Sequence, residues 1–211
     1  MQQKTLKREV VCKGRGLHTG QSVTMRIKPA PAESGIVFYR TDAGAEIPAR
    51  AEYIINSTLA TTIGANGASV RTVEHLLAAL YGLGVHNARI ELNGPEVPAM
   101  DGSASPFVRM ILEAGLLEQQ RPQKVLIIRE PVEICENGSA ACLRPSLQPI
   151  FSYSISYSHP LLSHQALTVA LSQPYFKREI SPARTFGFLS EHEKLRARGL
   201  ALGGSLENAI V

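Results

Sequence analysis

Glu74 and His75 are adjacent in the run Thr72-Val73-Glu74-His75-Leu76-Leu77-Ala78-Ala79-Leu80. An imidazole beside a carboxylate is the minimum equipment for metal-assisted hydrolysis. Neutral His is the commonest zinc ligand, and a non-ligating Glu next to it can take a proton from a metal-bound water. The spacing matches neither His-Glu-x-x-His nor its reversal His-x-x-Glu-His, because Arg71 stands at the first reversed position. On residue types alone, the plainer account is a carboxylate favoured by a helix N-terminus and a hydrogen-bonded surface imidazole.

Three further stretches carry polar chemistry. Gly14-Arg15-Gly16-Leu17-His18-Thr19-Gly20 has the look of a phosphate loop, but Thr19 occupies the place of a third glycine and no helical pattern follows. No Gly-Lys-Ser/Thr occurs, so a Walker loop is excluded. The glycines then serve a turn with positive φ from which His18 projects. In Pro98-Ala99-Met100-Asp101-Gly102-Ser103-Ala104-Ser105-Pro106-Phe107, Asp101 and Ser103 are suited to order a loop by local hydrogen bonds. In Ser181-Pro182-Ala183-Arg184-Thr185-Phe186-Gly187-Phe188, Thr185 offers a hydroxyl beside Phe186.

The elements that must position these groups follow from periodicity. Strands are expected over 5–12 and 21–28, where Val23, Met25 and Ile27 alternate with polar residues, then from Ile36, with an edge strand or turn at Glu46-Ile47-Pro48-Ala49. Val73, Leu76, Leu77 and Leu80 recur at helical spacing, predicting a helix over 71–82 that Gly82 ends. Its small face, Ala78, Ala79 and Gly82, continues the side of Glu74 and His75 and would leave a groove open. A strand at 85–93 and a helix from Ser105, capped there and closed by Gly115, complete the first part. The polar run 117–124 marks a boundary, giving expected domains 1–122 and 123–211. In the second, Asn137-Gly138 predicts a hairpin that sets residue 135 opposite 140 and 142 opposite 133. Strands near 125–135, 140–144, 151–157 and 166–171 precede a helix at 190–198 with Ser190 and Glu193 at capping-box spacing. Strands first and helices after, in both parts, indicate an α+β fold with helices on one face of each sheet.

Composition narrows the function classes. The 211 residues include 22 Lys plus Arg against 18 Asp plus Glu, a formal charge of +4, and aromatics are 6% with no Trp. That is too thin, and too poor in basic-aromatic interleaving, for a nucleic-acid-binding module. No run approaches the ~20 apolar residues of a membrane span, and none resembles a signal peptide, so the expected location is cytoplasmic. Cys12, Cys135 and Cys142 lack metal or disulfide spacing and read as reduced thiols.

Taken together, five ordered segments resemble the zinc-dependent UDP-3-O-acyl-N-acetylglucosamine deacetylases of lipid A biosynthesis in Gram-negative bacteria. They are Gly-Arg-Gly-Leu-His-Thr-Gly at 14–20, Thr-Val-Glu-His-Leu-Leu-Ala-Ala-Leu at 72–80, Met-Asp-Gly-Ser-Ala at 100–104, Ala-Arg-Thr-Phe-Gly-Phe at 183–188, and Gly-Gly-Ser at 203–205 before Asn-Ala-Ile-Val. The resemblance implies a two-domain α+β fold with the active site between the domains. It implies His75 as a zinc ligand, Glu74 as the general base, Thr185 as a donor to the developing oxyanion, and Phe186, His18, Gly204 and Ser205 as substrate contacts.

Members of that family continue past the Ala-Ile-Val segment into a helix bearing His-Lys-x-x-Asp, which supplies two more zinc ligands, and on to a further His acting as general acid. This chain stops at Val211, so the resemblance leaves the second domain incomplete and catalysis by this chain alone doubtful. The expectation is the N-terminal part of a deacetylase. A truncated paralogue that binds the sugar nucleotide or a partner protein is the alternative, and a further possibility is assembly with a chain that supplies the missing helix.

Overall fold

The computed structural model describes residues 1–159 and 162–211 and divides into two compact units, Met1–Gln123 with Phe176–Val211, and Lys124–Tyr175. The expected boundary at 122 falls within a residue of this division. The stretch 176–211, expected in the second domain, is instead grouped with the first. The cause is hydrogen bonding: Thr185 N donates to Gly102 O (2.8 Å) and Gly203 N to Leu17 O (3.0 Å), while Arg184 Nε donates to Asp101 O (2.7 Å).

The first unit is built on a five-stranded sheet of β2 (Val10–Arg15), β3 (Ser22–Pro29), β4 (Ile36–Arg40), β5 (Ala45–Pro48) and β9 (Ala88–Leu92), in the order β2-β3-β9-β4-β5. Only the β4–β9 pair is parallel. The two-residue period is visible here: Val23, Met25 and Ile27 of β3 and Ala88, Ile90 and Leu92 of β9 are buried while the residues between them are not. Pro48 lies in edge strand β5, where a missing N–H leaves no ladder bond unmade.

β1 (Gln2–Leu6) pairs antiparallel with β10 (Leu116–Pro122). The polar stretch expected to be an interdomain break is therefore a strand, and its amides are used. Gln119 accepts from Asn87 Nδ2 at 2.7 Å and donates to Ala30 O, and Gln3 accepts from the same Asn87 nitrogen at 2.8 Å. The expected strand over 5–12 is two strands, β1 and β2. A third sheet, β6 (Ile54–Asn56), β7 (Thr62–Ala65) and β8 (Ala68–Arg71), was not anticipated. Its β7–β8 turn is Asn66-Gly67, both at positive φ, 53° and 74°.

Helix α1 (Glu74–Gly82) starts three residues later than expected and ends at Gly82 as expected. Gly84, at φ 70°, takes the left-handed position, with Val85 N bonded to Leu80 O and Gly84 N to Tyr81 O. Helix α2 (Ser105–Ala114) starts with Ser105 inside the helix and Ala104 at the cap, and Gly115 (φ 74°) closes it. Leu76 and Leu80 of α1 and Phe107 and Ile111 of α2 are at most 1% exposed. Burying each such side chain stabilises by about 1.5–3 kcal/mol. Helix α3 (Leu189–Ala197) also belongs to this unit, with Phe188 at its cap and no side-chain capping bond, so the expected Ser190–Glu193 box does not form.

The second unit holds two hairpins. β11 (Val132–Glu136) and β12 (Ser139–Leu143) place Cys135 opposite Ala140 and Cys142 opposite Glu133, the register that the Asn137-Gly138 turn predicts. β13 (Ile150–Ile155) pairs antiparallel with β14 (Gln165–Ala170). Residues 125–128, expected as a strand, are in none. The fold class is α+β, with the helices α1, α2 and α3 all in the first unit. Among the described residues no helix is long and apolar enough to cross a membrane.

Candidate active site

Five of the expected site residues meet at one cavity of about 470 Å³, lined by His18, Thr185, Phe186, Gly204 and Ser205. The rest of its wall is largely apolar, including Leu17, Leu59 and Leu206. Every residue named for the site lies in the first unit.

His18 is held by the C-terminal segment. Its carbonyl accepts from Leu202 N (3.1 Å) and its Nδ1 from Ala201 N (3.4 Å). A ring nitrogen that accepts carries no proton, which assigns the neutral-ring hydrogen to Nε2. His18 is 5% exposed, and Nε2 has no hydrogen-bond partner among the described residues. A buried donor left unpaired is costly, and one that lines a cavity in this way is able to donate to an acceptor placed there.

Another part of the wall is fixed by hydrogen bonds that 185–187 exchange with Ile210. Ile210 N donates to Thr185 O (3.0 Å), and Gly187 N donates to Ile210 O (2.9 Å). The Phe186 and Phe188 rings meet edge to face at 5.8 Å between centroids. The Gly204–Ser205 turn is pinned by Asn208, whose Oδ1 accepts from Ser205 N (2.8 Å) and whose Nδ2 donates to Gly203 O (2.9 Å). Glycine is required at 102 and 203. A Cβ at Gly102 would lie 2.0 Å from Asn208 O, and one at Gly203 would lie 2.2 Å from Gly16 O.

Glu74 and His75 open helix α1, both partly buried, and neither is among the residues lining this cavity. Glu74 Oε2 accepts from Thr61 N at 3.1 Å. The expected open groove along the helix is filled. Ala79 is fully buried, and Gly82 receives the ring of Phe176, so the small residues admit an aromatic side chain rather than a ligand. Leu77, which shares the helical spacing of buried Val73, Leu76 and Leu80, is only half-buried. Asp101 orders its loop as expected, with Oδ1 accepting from Ser103 N (2.9 Å) and Ser103 Oγ (2.8 Å).

Zinc does not find its ligand set among the described residues, which bring together no group of three His, Cys, Asp or Glu side chains able to hold a metal ion. His75 is a single donor, whereas catalytic zinc takes three protein ligands. Leu59 and Glu96 went unread in the sequence, and Asn208 was read only as part of its motif. Glu96 carries one signal that could have found it, an acidic residue set between two prolines in Pro95-Glu96-Val97-Pro98.

An α+β domain with a buried imidazole donor, a threonine and paired phenylalanines around one cavity has the features of a small-molecule site. The chain matches the LpxC family model, UDP-3-O-acyl N-acetylglycosamine deacetylase, over residues 3–211, and it belongs to that family. Relatives named UDP-3-O-acyl-N-acetylglucosamine deacetylase include one from Myxococcus xanthus, 49% identical over 99% of this chain and 67% of the relative. Another from Syntrophus aciditrophicus is 46% identical over 99% and 67%, and one from Nautilia profundicola 46% identical over 100% and 72%.

Proposed function

We propose that this chain serves the hydrolysis of the N-acetyl group of UDP-3-O-acyl-N-acetylglucosamine, a cytoplasmic step of lipid A biosynthesis that releases acetate and leaves a glucosamine amine. The observation that carries the reading is the single cavity shared by His18, Thr185, Phe186, Gly204 and Ser205, residues drawn from three separate ordered motifs. In this reading the His18 Nε2–H binds an acceptor of the sugar nucleotide, Thr185 donates to the oxyanion, and the Phe186 ring packs on the substrate. Glu74 acts as the general base, and the Thr61 N–H on one of its oxygens holds the carboxylate at the start of α1. His75 is one donor to a zinc ion whose remaining ligands come from outside the described residues.

The test is acetate release from UDP-3-O-acyl-N-acetylglucosamine with added zinc, comparing the chain with Glu74→Ala. Loss of a general base lowers turnover by about 10²–10⁴-fold. Equal rates in the two proteins refute the assignment. The lack of a three-donor metal cluster among the described residues favours a second reading, in which the chain binds the sugar nucleotide without hydrolysing it. Calorimetric binding with no acetate released, with or without zinc, would establish that reading instead.

A further inference from the structure

The carboxylate of Glu96 joins two parts of the candidate site. Its residue is 0% exposed and lies between β9 and α2. Oε1 accepts from His18 N (2.9 Å) and Thr72 Oγ1 (2.8 Å), and Oε2 accepts from Thr19 N (2.8 Å) and Thr19 Oγ1 (2.7 Å). These bonds use the roughly four acceptor sites of a carboxylate, and every donor is a neutral dipole. Burying such a group is expensive unless each site is satisfied, so the pattern commits all the donors at once.

The donors come from two segments. His18 and Thr19 belong to the loop after β2, whereas Thr72 directly precedes Val73, the cap of the Glu74–His75 helix. Thr72 sits at φ 59°, a left-handed conformation that a β-branched residue adopts only when its surroundings impose it. The bond to Glu96, with Arg71 N to Pro95 O (2.9 Å) and Val97 N to Arg71 O (3.0 Å), supplies that constraint. On the loop side the approach is so close that a Cβ at Gly16 would lie 2.3 Å from Oε2. Only glycine fits there.

We propose that Glu96 is a positioning residue of the deacetylase site: by holding the His18 loop and the lead-in to α1 on one carboxylate, it sets where the His18 Nε2–H is presented. The effect on substrate rests on the function proposed above, whereas the tie itself rests on geometry alone. A carboxylate that merely stabilised the core would lower stability without acting through His18.

The test uses the full chain and two readouts. Amide hydrogen exchange is compared in the wild type and Glu96→Gln, which keeps the shape but turns one acceptor atom into a donor facing donors. Exchange at His18 and Thr19 should accelerate by about tenfold or more while central amides of β3 and β9 keep their protection. Unchanged exchange at these two residues, or a uniform rise across the unit, overturns the proposal. The second readout is a double-mutant cycle on calorimetric affinity for UDP-3-O-acyl-N-acetylglucosamine. Glu96→Gln should weaken binding about tenfold when His18 is present and less than about twofold in a His18→Ala background. Equal losses in both backgrounds overturn it. If Glu96→Gln does not fold, Thr19→Val removes one donor and takes its place, with a smaller loss of the same pattern expected. A wild-type chain that binds no substrate refutes the functional reading, and the exchange experiment then decides the tie by itself.

Discussion

Gly82→Ala sets two known effects against each other at one atom. Gly82 is the last residue of α1, where alanine gains at most the roughly 1 kcal/mol by which it is favoured over glycine in a helix interior. Propensity alone therefore predicts a more stable protein. The added Cβ, however, would lie 2.3 Å, 2.4 Å and 2.5 Å from Cδ1, Cε1 and Cγ of Phe176, distances that real Cβ contacts do not show. Phe176 is 3% exposed, so its ring cannot simply turn into solvent without losing its burial. Overpacking costs about 1–3 kcal/mol and expelling the ring about 1.5–3 kcal/mol, so even against a full gain of about 1 kcal/mol the steric effect wins and the net change is a destabilisation of up to about 2 kcal/mol. Urea unfolding at unchanged slope should show the lower midpoint, and hydrogen exchange should loosen at 176–188, the segment that carries Thr185 and Phe186. Phe176→Ala alone should cost about 3–5 kcal/mol, and adding Gly82→Ala to it should recover part of that loss because the methyl now has room. A Gly82→Ala protein as stable as the wild type, or more so, would refute the reasoning.

Two further expectations concern titration. Burial pushes the Cys12 thiol up to about 11, so at pH 8 only about one molecule in a thousand carries the reactive thiolate there. Iodoacetamide should label exposed Cys135 and Cys142 at least about tenfold faster than Cys12, and equal labelling by peptide mapping would contradict the burial argument. His86 is held below the usual histidine value chiefly by burial and also by the charge of Lys4, although hydrogen bonds from its ring to the Gln123 side chain and the Gly84 backbone oppose the shift. Its Nδ1 accepts from Lys4 N at 3.0 Å, a bond that protonation of that nitrogen removes. The neutral ring is thus the folded form. Its stabilisation is complete above about pH 6.5 and is lost as pH falls through the folded value. An NMR titration midpoint at or above 6.5 would reverse the sign.

What the sequence made legible were the features set by local chemistry. The alternation in β3 and the Leu76–Leu80 spacing announced buried faces, and Asn137-Gly138 fixed a hairpin register residue by residue. The same Asn-Gly signal at 66–67 lay unread, although it would have marked the β7–β8 hairpin. Where long-range contact decided the outcome, local reading ran out. The polar stretch after 116 resembles a linker until Gln119 meets Asn87 and strand β1. Gly82 resembles a helix stop until Phe176 is seen against it. The motifs around His18, Thr185 and Gly204 were visible, and the ordered resemblance grouped them. Glu96, which bonds to the first of them, belongs to no periodic pattern and emerges only from its partners.

The contact between Gly16 and Gly203 bears on when this site can come into being. The bond from Ala201 N to His18 Nδ1 spans 183 residues of chain. At about 5–20 residues per second, a ribosome needs on the order of 10–40 s to travel that far after His18 is made. During that interval the imidazole has neither its Ala201 donor nor the cavity wall built by 185–210. The β sheet and both early helices can form in the meantime, since their residues precede 123. The scaffold can therefore form before the cavity, whose wall is complete only when nearly all of these 211 residues have emerged.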